Sequence, residues 1–299
     1  MYYFIWNPAA GKGQAKRALP IIESVMNENN LPFTFLETTH LGHATELAKI
    51  AANDPKAKAI AAIGGDGTLM ETAAGLFGSS VPLACIPMGN GNDFVHNIMN
   101  LQGLKSADKK IKKCLNVLIA GYCKAVDLIS VNNGIALNIG NIGLDADVAD
   151  YASKIKHVFG SMSYVISVVK TIFMFNTLSA VITVDGVKKA GVFSIIAVCN
   201  GKQYGGGFKI APNARVDDGK LTLCFVERVP RLKMLVLFPS VLSGKHTHLK
   251  EFNFIECERV DIEYEGNAKM CIDGNIVDCK APVSFTLMPA AMKVIAEAC

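Results

Sequence analysis

Apolar residues along this chain fall into two regimes. Through the first 127 residues, short unbroken apolar runs alternate with stretches of helical spacing. Tyr2-Tyr3-Phe4-Ile5-Trp6, Phe33-Thr34-Phe35-Leu36-Glu37-Thr38, Ala57-Lys58-Ala59-Ile60-Ala61-Ala62-Ile63 and Val81-Pro82-Leu83-Ala84-Cys85-Ile86-Pro87 read as buried strands. Residues 15–29, 44–52 and 68–77 carry apolar side chains every three or four positions and read as helices. Alternation of this kind predicts a mostly parallel α/β sheet, because parallel neighbours need a crossover between them. From residue 128 onward the runs turn β-rich or period-two, over 136–140, 179–184, 190–199, 220–227, 252–264 and 283–288, with turn dipeptides between them. A helical insert spans 145–178. Many short strands in one block predict a sandwich or a strongly bent sheet. The expected organisation is α/β + β: an α/β domain over 1–127, a β-rich domain over 128–288, and a helical stretch over 290–297 in a tail (289–299) returning to the first domain.

Glycines punctuate the carboxyl ends of the expected strands, where the ligands of open α/β sheets collect. Gly64-Gly65-Asp66-Gly67-Thr68 joins the third strand to a helix. Strand, glycine turn and helix N-terminus present backbone N–H groups to an anion, and a missing Cβ lets a phosphate come close. Asp66 would repel that phosphate, so it suits a ribose hydroxyl or, through water, a metal. Asn7-Pro8-Ala9-Ala10-Gly11-Lys12-Gly13 follows the first strand and Met88-Gly89-Asn90-Gly91-Asn92-Asp93-Phe94 the fourth. Neither is a Walker P-loop, and the dinucleotide fingerprint fails because Lys16 stands at its third glycine.

Composition narrows the class. The chain of 299 residues is 51% hydrophobic and 19% charged, values of a globular protein long enough for two cores. A net charge of +4 suits an anionic nucleotide or membrane surface and is too small to argue for nucleic-acid binding. Nine scattered cysteines without a C-x-x-C pair, and no signal peptide, point to reduced thiols in a cytosol. His246-x-His248 lacks a third ligand and predicts no metal. The most apolar stretch, 158–178, is broken by Gly160, Ser161, Ser163, Lys170 and Asn176; it reads as a buried or interfacial helix over 162–175 rather than a membrane span.

Gly-Gly-Asp-Gly-Thr is shared by diacylglycerol kinase-like lipid kinases, sphingosine and ceramide kinases, NAD kinases and 6-phosphofructokinases. Together with Asn7-Pro8-x-x-Gly11, Thr38-x-x-x-Gly42-His43-Ala44 and Pro87-x-Gly89-x-x-Asn92-Asp93, the chain resembles the nucleotide half of the diacylglycerol kinase-like lipid kinases. Asn138-x-x-x-x-Gly143-Leu144-Asp145-Ala146, Asn200-Gly201-x-x-Tyr204-Gly205-Gly206-Gly207 and Ala211-Pro212-x-Ala214-x-x-x-Asp218-Gly219-x-Leu221 extend the resemblance over nearly the whole length. NAD kinases have Glu after the asparagine that is Asn138 here; this chain has Ile139. The resemblance implies an NAD-kinase-like α/β domain and a sandwich-like domain, with ATP in the cleft between them and acyl chains in the second. It implies an ATP site lined by Asn7, Gly11, Thr38, Gly65, Asp66, Gly67, Thr68 and Glu71, with Asn90, Asn92 and Asp93 beside it. Asn90 stands where the family has Thr, which implies altered nucleotide contacts.

The resemblance further implies a Mg²⁺ loop of Asp218 with the backbone carbonyls of Arg215 and Lys220. Asp66, Asp93 and Asp127 would link the ATP phosphates to the metal. The family's catalytic Asp-Gly-Glu aligns with Asp273-Gly274-Asn275, and since an amide is no general base, Asp273 is the candidate proton acceptor. Local pattern alone leaves Asp273-Gly274 open as a plain hairpin turn, the reading given to Asp185-Gly186. The implied activity is ATP- and Mg²⁺-dependent phosphorylation of a diacylglycerol-like lipid hydroxyl. The implied setting is cytoplasmic, with peripheral contact at the inner face of a membrane and no nucleic-acid partner; a homodimer stays open. A nucleotide- and lipid-binding homologue without activity, and a kinase of a soluble acceptor, are the rival readings. Diacylglycerol, phosphatidylglycerol, a sphingoid base and a polyprenol-like alcohol all remain open as acceptors.

Overall fold

Tyr2–Trp6 (β1) pairs in parallel with Phe33–Glu37 (β2) on one side and Ala59–Gly64 (β3) on the other. Leu83–Pro87 (β4) pairs in parallel with β3, giving the order β2-β1-β3-β4. Every residue of β3 is buried, as a parallel strand covered on both faces requires. Ala18–Glu28 (α1), His43–Ala52 (α2) and Asp66–Leu76 (α3) are the crossovers; Val95–Ile98 (α4) is a single turn and Ala107–Ala120 (α5) packs on α1. The helices α2 and α3 approach closely at Gly75, where a Cβ would lie 2.4 Å from the Thr45 carbonyl oxygen.

This computed structural model describes residues 1–104, 106–132, 134–159 and 163–298, without the side chains of 145, 153, 155–159 and 163–165. The chain forms two compact units, Met1–Val126 with Ala290–Cys299, and Asp127–Pro289. The strand Cys123–Val131 (β5) carries the chain from the first unit into the second, followed by Gly134–Ala136 (β6), Ile139–Gly143 (β7), and the helices Leu144–Phe159 (α6) and Ser163–Met174 (α7). Met162, the first residue of the expected helix over 162–175, lies outside the described residues, as do Gly160 and Ser161 before it. Leu178–Val184 (β8), Val187–Cys199 (β9), Leu221–Glu227 (β10), the helix Arg231–Ser243 (α8), Phe252–Cys257 (β11), Arg259–Tyr264 (β12), Asn267–Ile272 (β13), Asn275–Lys280 (β14) and Val283–Ile295 (β15) complete the chain. Strands β14-β13-β7-β9-β8-β12-β15 form an antiparallel path, with β10 and β11 branching from β9. Phe193, Phe225 and Phe285 anchor one core of this unit; Phe208, Val241 and Phe252 belong to another. Among the described residues no helix is long and apolar enough to cross a membrane.

Two expectations need correction. The stretch 290–297 is not a helix: β15 runs to Ile295, and Val294 pairs with Leu83 of β4. Ala, Met, Lys and Glu favour a helix locally, but the open edge of β4 offers backbone partners that outweigh that weak preference. The expected helix over 15–29 begins at Ala18; short 3₁₀ turns at Ala10–Lys12 and Gln14–Arg17 precede it, because Gly11, Lys12 and Gly13 have positive φ.

The two Asp-Gly turns are built alike. Asp185 and Gly186 have φ of 44° and 88°, Asp273 and Gly274 47° and 87°, the doubly left-handed form of a two-residue hairpin. The Asp185 carboxylate accepts the Glu258 N–H at 3.1 Å and the Arg259 N–H at 2.8 Å, joining its hairpin to β12. Asp185→Ala is expected to cost about 1 kcal/mol, since water reaches the exposed N–H groups it releases. Urea unfolding measures this, and an unchanged midpoint would mean that water replaces the carboxylate without cost.

Candidate functional site

In the first unit, the order 2-1-3-4 reverses direction between β1 and β3, the topological switch point at which such sheets open a crevice. Asn7, just past β1, spans it. Its N–H donates to the Ile63 carbonyl at 3.1 Å, its Oδ1 accepts the Ala9 N–H at 2.9 Å, and its Nδ2 donates to Thr68 Oγ1 at 3.3 Å. The Thr38 N–H donates to the Trp6 carbonyl, and the Met88 N–H to the Gly64 carbonyl at 2.7 Å. Four strand ends are thus tied into one surface.

Sterics separate the glycines of this surface into two kinds. A Cβ on Gly11 would lie 2.3 Å from the Met88 carbonyl oxygen, and Gly11 has a φ of +59° besides. One on Gly64 would meet Thr68 Oγ1 at 2.4 Å, and one on Gly89 would meet the Gly65 Cα at 2.5 Å. These glycines allow the turns to pack on each other. Gly67 is different: a Cβ there meets nothing within 4 Å, and the residue is exposed in the first turn of α3. The first intrahelical bond of α3 runs from the Leu69 N–H to the Gly65 carbonyl, leaving the Gly67 and Thr68 N–H groups without an intrahelical acceptor. Here, open space meets helical N–H donors, the geometry of an anion site.

Asp66 faces the protein rather than that opening. Its oxygens accept the N–H groups of Asn92 and Asp93, both at 2.8 Å, and so lock the turn after β4 onto the turn after β3. Burial pushes the Asp66 carboxyl above its ordinary range, against the pull of these N–H groups. Asn92, at φ +52°, brackets Gly89 through both atoms of its amide, accepting the Gly89 N–H at 2.9 Å and donating to the Gly89 carbonyl at 2.7 Å. Sequence reasoning did not find this bracket; an Asn directly after Asn90-Gly91, able to adopt a left-handed backbone, was its only sign. Glu71 accepts the Ala44 N–H at 3.3 Å at the start of α2. Asp93 is buried and Asn90 is exposed.

In the second unit, Asp273 is a brace. Its carboxylate accepts three consecutive backbone N–H groups, from Leu137 at 2.6 Å, Asn138 at 3.0 Å and Ile139 at 2.8 Å. Asn200 joins this segment to β5: its Nδ2 donates to the Asp127 and Leu137 carbonyls, each at 2.7 Å, while its buried Oδ1 has no partner among the described residues. The Asp127 carboxylate in turn accepts the Gly219 N–H at 2.8 Å. Asp127, Asn200 and Asp273 therefore form one bonded framework around 137–139 and 216–219. Asn200 was legible only as part of a motif, not as its centre.

The loop bearing Asp218 is a tight one. Asp218 Oδ1 accepts the Lys220 N–H at 3.2 Å, Arg215 Nε donates to Asp217, and Lys220 Nζ pairs with Glu256. Among the described residues no three His, Cys, Asp or Glu side chains group as metal ligands. One carboxylate with backbone carbonyls is nonetheless a hard oxygen set of the kind Mg²⁺ takes, the rest of its shell being water or phosphate. Asn275 lies exposed at the start of β14, opposite Ile272.

The second unit also holds a narrow apolar cleft of about 60 Å³. Leu144, Val148, Ile172, Met234, Phe238 and Phe252 are among its walls, so α6, α7 and α8 all contribute.

Residues 1–131 match the diacylglycerol kinase catalytic domain, and residues 139–296 match the YegS C-terminal NAD kinase beta sandwich-like domain. A diacylglycerol kinase of Mycobacterium tuberculosis (strain H37Rv) is 30% identical over 243 residues, 79% of this chain and 76% of its own. One from Bacillus subtilis is 26% identical over 90% of this chain and 88% of its own. A crystal structure from Bacillus anthracis, described as that of a candidate diacylglycerol kinase, superposes with a TM-score of 0.79 at 25% identity, covering 99% of this chain and 97% of the other. Two domain models in the expected order, and a relative at this identity over most of the length, place the chain in the diacylglycerol kinase family of lipid kinases.

Proposed function

We propose that the chain transfers the γ-phosphate of ATP to the hydroxyl of a diacylglycerol-like lipid, with Mg²⁺ as the cation. The open space before Gly67, at the uncommitted N–H groups of α3, carries the nucleotide part of this reading. Phosphate binds there, with Asn7, Gly11, Thr38, Gly65, Thr68 and Glu71 around it and Asn90 at the exposed rim. Asp66, Asn92 and Asp93 keep the two flanking turns locked together. Mg²⁺ neutralises phosphate charge; Asp218 and the carbonyls of Arg215 and Lys220 are the residues that would hold it. The lipid hydroxyl oxygen attacks the γ-phosphorus as the bond to the β–γ bridging oxygen breaks, ADP leaves, and the hydroxyl proton passes to Asp273. The apolar cleft under α7 and α8 receives acyl chain, burying hydrocarbon that water otherwise surrounds.

Labelled γ-phosphate of ATP, mixed lipid micelles and Mg²⁺ test the whole reading. Product in a lipid fraction is expected, and the labelled species names the acceptor. EDTA should reduce transfer to background and excess Mg²⁺ restore it, while Asp218→Asn should raise the Mg²⁺ needed for half-maximal rate by about ten-fold, the loss of one charged ligand contact. Bound ATP without any product would favour the second reading, a binding protein that has lost catalysis, which Asn275 in the position of the family's Glu motivates. Phosphorylation of soluble acceptors alone would move the activity away from lipids.

A further inference from the structure

Beside the apolar cleft, and sharing Ile172 and Met234 with it, the second unit carries a broader pocket of different chemistry, of about 410 Å³. Arg228 and Arg231 line it, with Asn176, Thr177 and the buried Ser194. Among the described residues no carboxylate is in its wall. The acidic residue next to Arg228 in sequence is engaged elsewhere: Glu227 pairs with Lys189 at 2.9 Å. Among the described residues neither arginine has an ion-pair partner; Arg231 donates only to the Phe175 carbonyl, at 3.2 Å. Two guanidinium groups in a pocket without a counter-charge ask for an anion, and their planar donors match phosphate oxygens.

The flanking helices show what such an anion is attached to. α7 and α8 pack through Val168, Ile172, Phe175 and Met234. Their other faces leave large apolar side chains in water: Phe173 is 49% and Met174 68% exposed on α7, Leu232 72% and Val236 78% exposed on α8. Single exposed apolar residues need no explanation, but here they neighbour in sequence two residues that line one cationic pocket, Phe175 and Arg231. Basic side chains beside exposed apolar ones are the composition of a surface that rests on anionic lipid.

We propose that the Arg228–Arg231 pocket binds the phosphate headgroup of an anionic phospholipid in a bilayer, while Phe173, Met174, Leu232 and Val236 enter the interfacial layer around it. The hydrocarbon of that lipid runs along Ile172 and Met234. This site stands on its own charge and shape and does not depend on the kinase reaction proposed above.

Vesicle flotation of the full chain tests it, with phosphatidylcholine alone and with added phosphatidylglycerol. Arg228→Gln/Arg231→Gln should lower binding to the anionic vesicles about 30-fold, since each basic group at such a surface is worth about five-fold. Lys109→Gln/Lys112→Gln, the same charge change on α5, should leave binding nearly unaltered. Arg228→Gln alone, which breaks no described hydrogen bond, should still lose about five-fold; unchanged melting temperatures establish that the variants are folded. Equal loss in the two double variants would reduce the site to general attraction and overturn the proposal. So would indifference to phosphatidylglycerol, or release of the protein from vesicles by millimolar inorganic phosphate, which would make the pocket a site for a free anion.

Discussion

Asp273→Asn is expected to lower phosphate transfer by about 10²–10⁴-fold, the usual cost of removing a general base. The structure adds a second consequence. An asparagine can keep its oxygen toward the Asn138 and Ile139 N–H groups that Oδ1 now accepts, but its NH₂ then faces the Leu137 N–H. One buried donor loses its acceptor, at a cost of about 1–3 kcal/mol. The variant should therefore lose both rate and stability, and the two losses must be measured apart. Turnover is read well below the melting temperature of the variant, with Asp185→Asn as the matched change in an equivalent turn. A folded Asp273→Asn protein with unaltered kcat would remove Asp273 from proton transfer and leave it as the brace of 137–139. A drop in kcat with an unchanged KM for ATP would support the base.

Gly67→Ala makes the opposite pair of demands. Within the first turn of a helix, and with nothing near the added methyl, alanine should stabilise the protein by about 0.4–1 kcal/mol through its smaller unfolded-state entropy. The same methyl stands where phosphate must approach the Gly67 and Thr68 N–H groups, and a displacement of about 1 Å there costs on the order of 10²-fold in turnover. A protein that melts later and works far more slowly is the signature of a glycine kept for its ligand. Gly89→Ala supplies the contrast: its Cβ would lie 2.5 Å from the Gly65 Cα, so stability should fall together with nucleotide binding. Full activity in Gly67→Ala would place the phosphates elsewhere.

Local sequence made the first unit readable because its strands are short apolar runs ended by glycines. Tyr2–Trp6 was found to the residue, and the helix after Gly65 needed a shift of only two positions at its start. The antiparallel strands of the second unit were legible as runs, though 252–264 proved to be two strands meeting at Glu258. What the pattern could not carry was anything decided across the chain. Residues 290–297 look helical until Leu83 is known to lie beside Val294. Asp66 reads locally only as a ligand-facing acid, and nothing in the turn shows that its oxygens accept the N–H groups of Asn92 and Asp93, 26 and 27 positions on. Asp185 and Asp273 occupy identical turns, and only their distant partners, at 258–259 and 137–139, make them different. The framework around Asn200 is of the same kind: the carbonyls of Asp127, Leu137 and Asn138 converge on it, with no local signature beyond Asn-Gly.

The strand Val283–Ile295 has a consequence for synthesis. Its last residues belong to the first unit, whose other members end at Val126, so about 160 residues are made in between. At a bacterial-to-eukaryotic elongation rate of about 5–20 residues per second, roughly 10–30 s pass before Val294 exists to meet Leu83. For that interval β4 is the rim of an unfinished sheet, with backbone groups that any other extended segment can pair with. Until then the first unit is expected to need a holding chaperone, and a chain cut at residue 126 should be protease-sensitive where the full chain resists digestion.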